Sequence, residues 1–238
     1  MTVRVSVVIP TYNEAQSIGC VLSDIPEMVE EVLVVDSDSS DGTASIAREL
    51  GAKVLHEPRR GYGRACLTGL AAVNAPDVVV FLDGDYSDRP AEMPLLLDPL
   101  RTGSADMVIG SRLASECAPG ALPWHAVLGN RLAVALIGSF SGVHLTDLGP
   151  FRAVRYDALM ALTLQESTYG WPVEMIVKGA RRGLRIVEVP VSYHPRLGSS
   201  KISGTFRGSF GAAWGILSAI VKYQFVDRTS APKKLFNV

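Results

Sequence analysis

The residues best suited to chemistry stand at the end of one apolar run, Val78-Val79-Val80-Phe81-Leu82-Asp83-Gly84-Asp85. In extended backbone, residues i and i+2 share a side, so Asp83 and Asp85 can converge on one point. Gly84 between them allows a turn and a close approach by another group. Two convergent carboxylates suit a hard divalent cation, Mg²⁺ or Mn²⁺. The competing reading is a polar strand-to-helix turn, with Asp85 or Ser87 capping a helix that starts near Pro90.

Other polar clusters recur after apolar runs. Asp36, Asp38 and Asp41 fall within one loop, where Asp36 and Asp38 could accept hydrogen bonds from ribose hydroxyls and base N–H groups. A solvated turn in which Ser40 or Asp41 caps a helix is the plainer alternative. Pro10-Thr11-Tyr12-Asn13-Glu14 follows the first apolar run in place of a Gly-x-Gly-x-x-Gly fingerprint, which argues against a nicotinamide enzyme. Gly61-Tyr62-Gly63-Arg64 opens a helix whose free N–H groups could meet a polar ligand, or makes a simple tight turn. Arg112, Arg131, Arg196 and Lys201 all follow the carboxylate pair. Singly each reads as a surface charge; beside a metal-bound diphosphate they would form a phosphate-binding set. His56, His125, His144 and His194 show no ligand spacing and read as structural or surface residues.

The elements that must position these groups alternate. Strands are expected over 5–9, 32–35, 53–56 and 78–82, with helices over 15–24, 43–50 and 64–73 between them. Short loops and near-continuous apolar strands point to a parallel sheet with helices on both faces. Ligands of such sheets sit at the carboxyl ends of the strands, where Asp83 and Asp85 fall. Beyond them, helices are expected over 92–100, 127–140, 171–182 and 205–225, and strands over 107–109, 151–154 and 184–189. Residues 113–124 and 198–204 read as loops. The last helix sets Phe206, Phe210, Ala213, Trp214, Leu217, Ile220 and Val221 on one apolar face, fit for the core or for a bilayer surface.

The chain of 238 residues can bury one good core, and its net charge of −1 gives no electrostatic case for a nucleic-acid partner. Cys20, Cys66 and Cys117 lack metal or disulfide spacing and read as buried thiols of a reducing, cytoplasmic compartment. No signal peptide is expected at the start. The apolar stretch between Arg207 and Lys222 falls short of the roughly 20 residues of a spanning helix.

Taken in order, Val8-Ile9-Pro10-Thr11-Tyr12-Asn13-Glu14, Val34-Val35-Asp36-Ser37-Asp38, Gly61-Tyr62-Gly63-Arg64-Ala65 and Asp83-Gly84-Asp85 resemble the family 2 glycosyltransferases of the GT-A fold. Gly110-Ser111-Arg112, Asp147-Leu148-Gly149-Pro150-Phe151-Arg152, Val187-Glu188-Val189-Pro190 and Arg196-Leu197-Gly198-Ser199-Ser200-Lys201 are similar to the dolichyl- or polyprenyl-phosphate sugar synthase branch. The resemblance implies a GT-A domain over 1–204, mostly parallel sheet flanked by helices, and an amphipathic C-terminal helix and tail over 205–238. It further implies a metal-dependent, inverting transfer of a hexose from a GDP-mannose or UDP-glucose type donor to a polyprenyl phosphate. Pro10, Tyr12, Glu14, Asp36, Asp38, Gly61, Asp83 and Gly84 would hold the nucleotide-sugar. Asp83 and Asp85 would hold Mg²⁺ or Mn²⁺ and carry catalysis. Arg112, Arg131, Arg196 and Lys201 would face donor or acceptor phosphates. Possible contact with the cytoplasmic face of a membrane follows from the acceptor. Ser87 replaces a longer amide of some members, and Leu148-Gly149-Pro150 replaces a common Thr-Ser-Gly type run. A hydroxyl acceptor is the alternative, with Glu174 as its base; a binding protein without turnover is a second.

Overall fold

A computed structural model describes residues 3–114, 118, 121–198, 215 and 218–223. The first half alternates as read: β1 Val5–Thr11, α1 Ile18–Ser23, β2 Glu31–Asp36, α2 Thr43–Glu49, β3 Lys53–His56, α3 Tyr62–Leu70 and β4 Val78–Phe81. A single 3-10 turn, Pro90–Glu92, leads into α4 Met93–Arg101. Then follow β5 Met107–Ser111, α5 Trp124–Ser141, β6 Arg152–Arg155, α6 Tyr156–Ala161, α7 Trp171–Arg181 and β7 Ile186–Pro190.

The strands form a 7-stranded sheet in the order β3-β2-β1-β4-β6-β5-β7. It is mostly parallel, flanked by helices, as expected. One strand departs from the expected parallel run: β6 is antiparallel to both β4 and β5. The physical reason lies in its connections. The segment from α5 returns across the carboxyl edge, so β6 enters the sheet there, with Arg152 opposite Phe81 and Ile109. The short helix α6 was not anticipated; at Tyr156–Ala161 it is too brief to show a full apolar period.

Side chains alternate across the sheet with the period of a strand. Val8, Leu33, Val35, Val79, Phe81, Met107 and Ile109 meet α3, α5 and α7 on one face. Val5, Val7, Ile9, Val34, Val78, Val80 and Val108 meet α1, α2 and α4 on the other. Both faces are packed with buried apolar side chains, which holds the sheet firm up to its carboxyl edge, where chemistry can be held in place. Gly69 lets α3 lie close against the sheet, since a Cβ there would collide with Val8.

The boundary drawn at 204 and most of the C-terminal helix lie outside the described residues. The described part, 218–221, is helical, and Ala219, Ile220 and Tyr223 are buried in the α3/α5/α7 core. No described helix is long and apolar enough to cross a membrane. Cys66 is buried as expected, whereas Cys20 is exposed, because α1 turns that position away from the sheet.

Candidate active site

Six strands share one direction, so the ends of β1, β2, β3, β4, β5 and β7 crowd the same edge of the sheet. Immediately past β4 stand Asp83, Gly84 and Asp85. Gly84 is required here by close approach: a Cβ would lie 2.8 Å from Thr11 Cγ2, while the Ser17 hydroxyl donates to the Gly84 carbonyl at 2.8 Å. Asp85 lies in a polar turn, but neither it nor Ser87 caps the helix near Pro90, which Arg89 precedes without a side-chain cap. Asp85 Oδ1 accepts from Ser87 N at 2.9 Å and from Ser87 Oγ at 2.5 Å. Its Oδ2 lies 3.5 Å from Arg196, which also donates to Glu14 at 2.9 Å. Ser87 is thereby spent on Asp85. The segment carrying Arg196 is tied to the same turn by His194 N–H to the Ser87 carbonyl and Leu197 N–H to the Asp85 carbonyl, each 3.0 Å.

The electrostatics fit a divalent cation. Burial, with Asp85 adding to it, pushes the Asp83 carboxyl up to about 7. Tyr62 stands beside Asp83, yet Asp83 Oδ1 is buried without a hydrogen-bond partner. Asp88, only 1% exposed, has neither oxygen partnered, and burial together with Asp83 raises it well above the usual carboxylate range. Buried carboxylates with unmet acceptor capacity are costly alone and are relieved by a hard cation. Among the described residues no three His, Cys, Asp or Glu side chains converge in ligating geometry. Asp83 and Asp85 are thus a pair of carboxylates, fewer than a full protein ligand set for such a cation.

Two clefts meet at Asp85 and Arg196. The first, about 280 Å³, gathers Pro10, Tyr12, Glu14, Gly61, Asp83, Gly84 and Asp85 with Ser37, Arg60 and Tyr169. Arg60 stacks its guanidinium 4.3 Å from the Tyr12 ring centroid and donates to its hydroxyl. The second, about 330 Å³, gathers Arg112, Asp147, Asn130 and Tyr193 with an apolar wall of Leu113, Leu122, Pro123, Ala126 and Val127.

Arg112 is held rigidly at the end of β5. Asp147 accepts from its Nε at 2.7 Å, from Nη2 at 2.8 Å and from its backbone N at 2.9 Å. Burial alone would lower the Arg112 guanidinium, but the fork to Asp147 holds it above its ordinary value. Burial would equally raise Asp147, and Arg112 instead brings it below the usual range. Behind them Glu188 of β7 accepts from the N–H groups of Thr146 and Asp147 at 2.8 and 2.9 Å. Fully buried Arg152 donates to the Leu148 and Gly149 carbonyls, which fixes the Leu148-Gly149-Pro150 loop.

Not every expected residue joins the clefts. Asp36 is buried at the end of β2, with Oδ2 accepting from Ser39 N and Oδ1 unpartnered; Ser37 beside it reaches the first cleft. Asp38, at a φ of 64°, turns outward to within 3.6 Å of His56. Arg131 lies on the exposed side of α5, while Asn130 takes the cleft side. Lys201 lies outside the described residues. The N–H groups of Gly63 and Arg64 are not free for a ligand, because the Thr168 and Ser167 carbonyls accept from them at 3.2 and 3.1 Å. Gly61 and Gly63 are small so that this segment can approach: a Cβ on either would fall within 2.4 Å of a carbonyl oxygen. Glu174 is fully buried. It accepts from Gln165 and Glu166 N–H groups and pairs with Lys178 at 2.7 Å, which makes it part of the scaffold.

Sequence reasoning passed over Asp88, Asp147 and Glu188 as individual residues. Asp88 carries a signal, a third carboxylate after Asp83 and Asp85. Asp147 and Glu188 carry none of their own, since their partners are distant in sequence.

A family model described as glycosyl transferase family 2 matches residues 6–163. The chain is 38% identical over 227 residues to an undecaprenyl-phosphate mannosyltransferase of Micrococcus luteus, covering 86% of this chain and 90% of that one. It is 39% identical over 230 residues to a dolichyl-phosphate hexose transferase of Haloferax volcanii, covering 94% and 95%. Among solved structures, glucosyl-3-phosphoglycerate synthase from Mycobacterium tuberculosis in complex with Mn²⁺ and UDP-glucose superposes with a TM-score of 0.75 at 25% identity, covering 93% of this chain and 79% of that one.

Proposed function

Because the chain belongs to glycosyltransferase family 2, in its polyprenyl-phosphate sugar synthase branch, we propose that this hexosyltransferase moves its sugar from a nucleoside diphosphate to a polyprenyl phosphate. The observation that carries the acceptor half is the second cleft. It sets Arg112, whose fork is held by Asp147 and whose remaining guanidinium N–H groups are left for a phosphate, against an apolar wall suited to a hydrocarbon chain. The donor half rests on the first cleft, where the Tyr12 ring and the Ser37 edge suit a nucleoside and the carboxylates suit a metal diphosphate. Asp36 Oδ1 is unpartnered but buried and Asp38 turns toward His56, so either would meet a base N–H or a ribose only after this edge rearranges around the donor.

Asp83 and Asp85 would hold Mg²⁺ or Mn²⁺, which when bound supplies positive charge to the departing diphosphate. Arg196 bridges the clefts through Glu14 and Asp85, where it can transfer its bonds to a phosphate of either substrate. Arg112 would orient the acceptor phosphate for attack on the anomeric carbon from the face opposite the diphosphate. A phosphate monoester is anionic near neutral pH and needs no general base, which agrees with Glu174 being spent on the scaffold. Such an enzyme would work peripherally at the cytoplasmic membrane face.

The test is transfer of labelled sugar from GDP-mannose and from UDP-glucose, with Mn²⁺, to a short-chain, water-soluble prenyl phosphate and to free sugars. Transfer to the prenyl phosphate, abolished by chelator, is expected. Transfer to free sugars alone would overturn the reading.

A further inference from the structure

The first cleft has one wall that does not come from a strand end. Tyr169, 37% exposed, enters it from the connection between α6 and α7. Burial and the Asp83 charge raise its hydroxyl above the ordinary value, so it stays an O–H. The other phenols of the cleft are engaged: Tyr62 has its hydroxyl buried, and the Tyr12 hydroxyl accepts from Arg60. The connection carrying Tyr169 is itself held. Its Thr168 and Ser167 carbonyls accept from the start of α3. It also meets the C-terminal residues, with small side chains at the contact: a Cβ on Gly170 would stand 2.6 Å from Ala219 Cβ, and one on Gly215 would stand 3.8 Å from Tyr169 Cβ. Glu166 joins the two segments. One of its oxygens accepts from Thr168 N at 3.2 Å and Thr168 Oγ1 at 2.8 Å. The other accepts from Lys222 Nζ at 3.2 Å and from the Tyr223 hydroxyl at 3.1 Å. Burial would raise the Glu166 carboxyl, but its bonds to Thr168 and Lys222 bring it below the usual range, so it grips as a carboxylate.

We propose that Tyr169 is the side chain that meets the donor's hexose, and that Glu166 is a positioning residue that keeps it there by clamping its segment to Lys222 and Tyr223. The inference rests on the nucleotide-sugar reading of the first cleft. In that reading Tyr12 and Ser37 serve the nucleoside, and Asp83, Asp85 and Arg196 serve the metal diphosphate. The hexose is bonded to the diphosphate, so it must lie close to Asp83, and Tyr169 is the phenol of the cleft left to receive it there. A hexose presents C–H faces as well as hydroxyls, and a tyrosine answers both with an apolar ring and a polar tip. A side chain on a connection without regular structure would lose binding free energy to its own ordering. The four hydrogen bonds to Glu166 supply that order in advance, from residues that do not touch the cleft themselves.

The experiment uses the full chain with Mn²⁺ and no acceptor, and compares a bare nucleoside diphosphate with its sugar-bearing form by titration calorimetry: GDP with GDP-mannose, UDP with UDP-glucose. A bare diphosphate stops short of Tyr169 and a nucleotide-sugar reaches it. Tyr169→Ala should therefore raise the Kd of the nucleotide-sugar about tenfold, and leave that of the matching diphosphate within about twofold of wild type. Tyr169→Phe, which keeps the ring and the packing, should show the same selective loss at about threefold. K222M/Y223F removes the two C-terminal bonds to Glu166 without touching the cleft. It should also weaken the nucleotide-sugar alone, by about threefold, and Lys222→Arg should restore most of the affinity in the Tyr223→Phe background. Equal weakening of diphosphate and nucleotide-sugar by both Tyr169 variants, or no weakening of either, would overturn the hexose contact. An unchanged nucleotide-sugar Kd in K222M/Y223F would overturn the positioning role of Glu166. Failure of the wild type to bind any of the four nucleotides would overturn the donor reading itself, and this inference with it.

Discussion

Two carboxylates weighed for chemistry in the sequence end in different surroundings. Asp85 reaches the junction of both clefts, whereas Glu174 is enclosed by its own chain. Asp85→Ala should leave the fold intact and lower turnover by about 100-fold or more, the order expected when a group that organises charge in the transition state is removed. It should also abolish metal-dependent tightening of a nucleoside diphosphate, read by thermal shift. Wild-type turnover at limiting Mn²⁺ would refute this role. Glu174→Gln should do the reverse. It weakens charged hydrogen bonds to Gln165 and Glu166 and the pair with Lys178, so denaturant unfolding should show a loss of about 1–3 kcal/mol. Turnover per folded molecule should stay within a few-fold of wild type; loss of chemistry at unchanged stability would restore Glu174 as a base.

At the scale of elements, the sheet builds the proposed phosphate grip from three separate pieces. β5 delivers Arg112, the loop before β6 delivers Asp147, and β7 holds that loop through Glu188. Glu188 touches neither cleft, so it acts as a positioning residue. Glu188→Gln keeps its size but can accept from only one of two N–H groups through an oxygen, which frees the 146–147 turn. The expected result is an acceptor KM raised about tenfold, near 1.4 kcal/mol, with the donor KM unchanged. A parallel rise in both would mean general loosening instead. The antiparallel insertion of β6 matters here too, because it brings buried Arg152 to the edge beside the carboxylates.

For the whole molecule, the buried carboxylates should make stability depend on pH, and on metal if they bind it as proposed. Asp83 has a folded-state pKa of about 7 against an ordinary 3.8. Between these values the folded chain binds a proton that the unfolded chain does not. Stability without metal should therefore fall as pH rises from about 4 through 7, and level off above. Asp88, also raised, adds to the same trend. Saturating Mn²⁺ with a nucleoside diphosphate binds the deprotonated form, so it should flatten the slope and release protons on binding below pH 7. Melting curves at pH 5, 6, 7 and 8, with and without ligand, measure this directly. A slope of opposite sign in the metal-free protein would contradict it.

The sequence alone determined the strand-helix alternation, the sheet-edge position of Asp83-Gly84-Asp85, and membership in a glycosyltransferase family. Those are local matters: apolar runs of strand length, turn residues at their ends, and motifs contained within a few residues. The direction of β6, the capture of Arg112 by Asp147, the joining of two clefts at Arg196, and the outward turn of Asp38 and Arg131 were decided by tertiary structure. Each depends on contacts between residues far apart in the chain, as in Arg196 with Glu14 or Arg112 with Asp147. Periodicity tells which face of an element is buried but not which distant side chain it meets. A lone arginine therefore reads the same whether it ends in a cleft, clasped by a carboxylate, or on the outside of a helix.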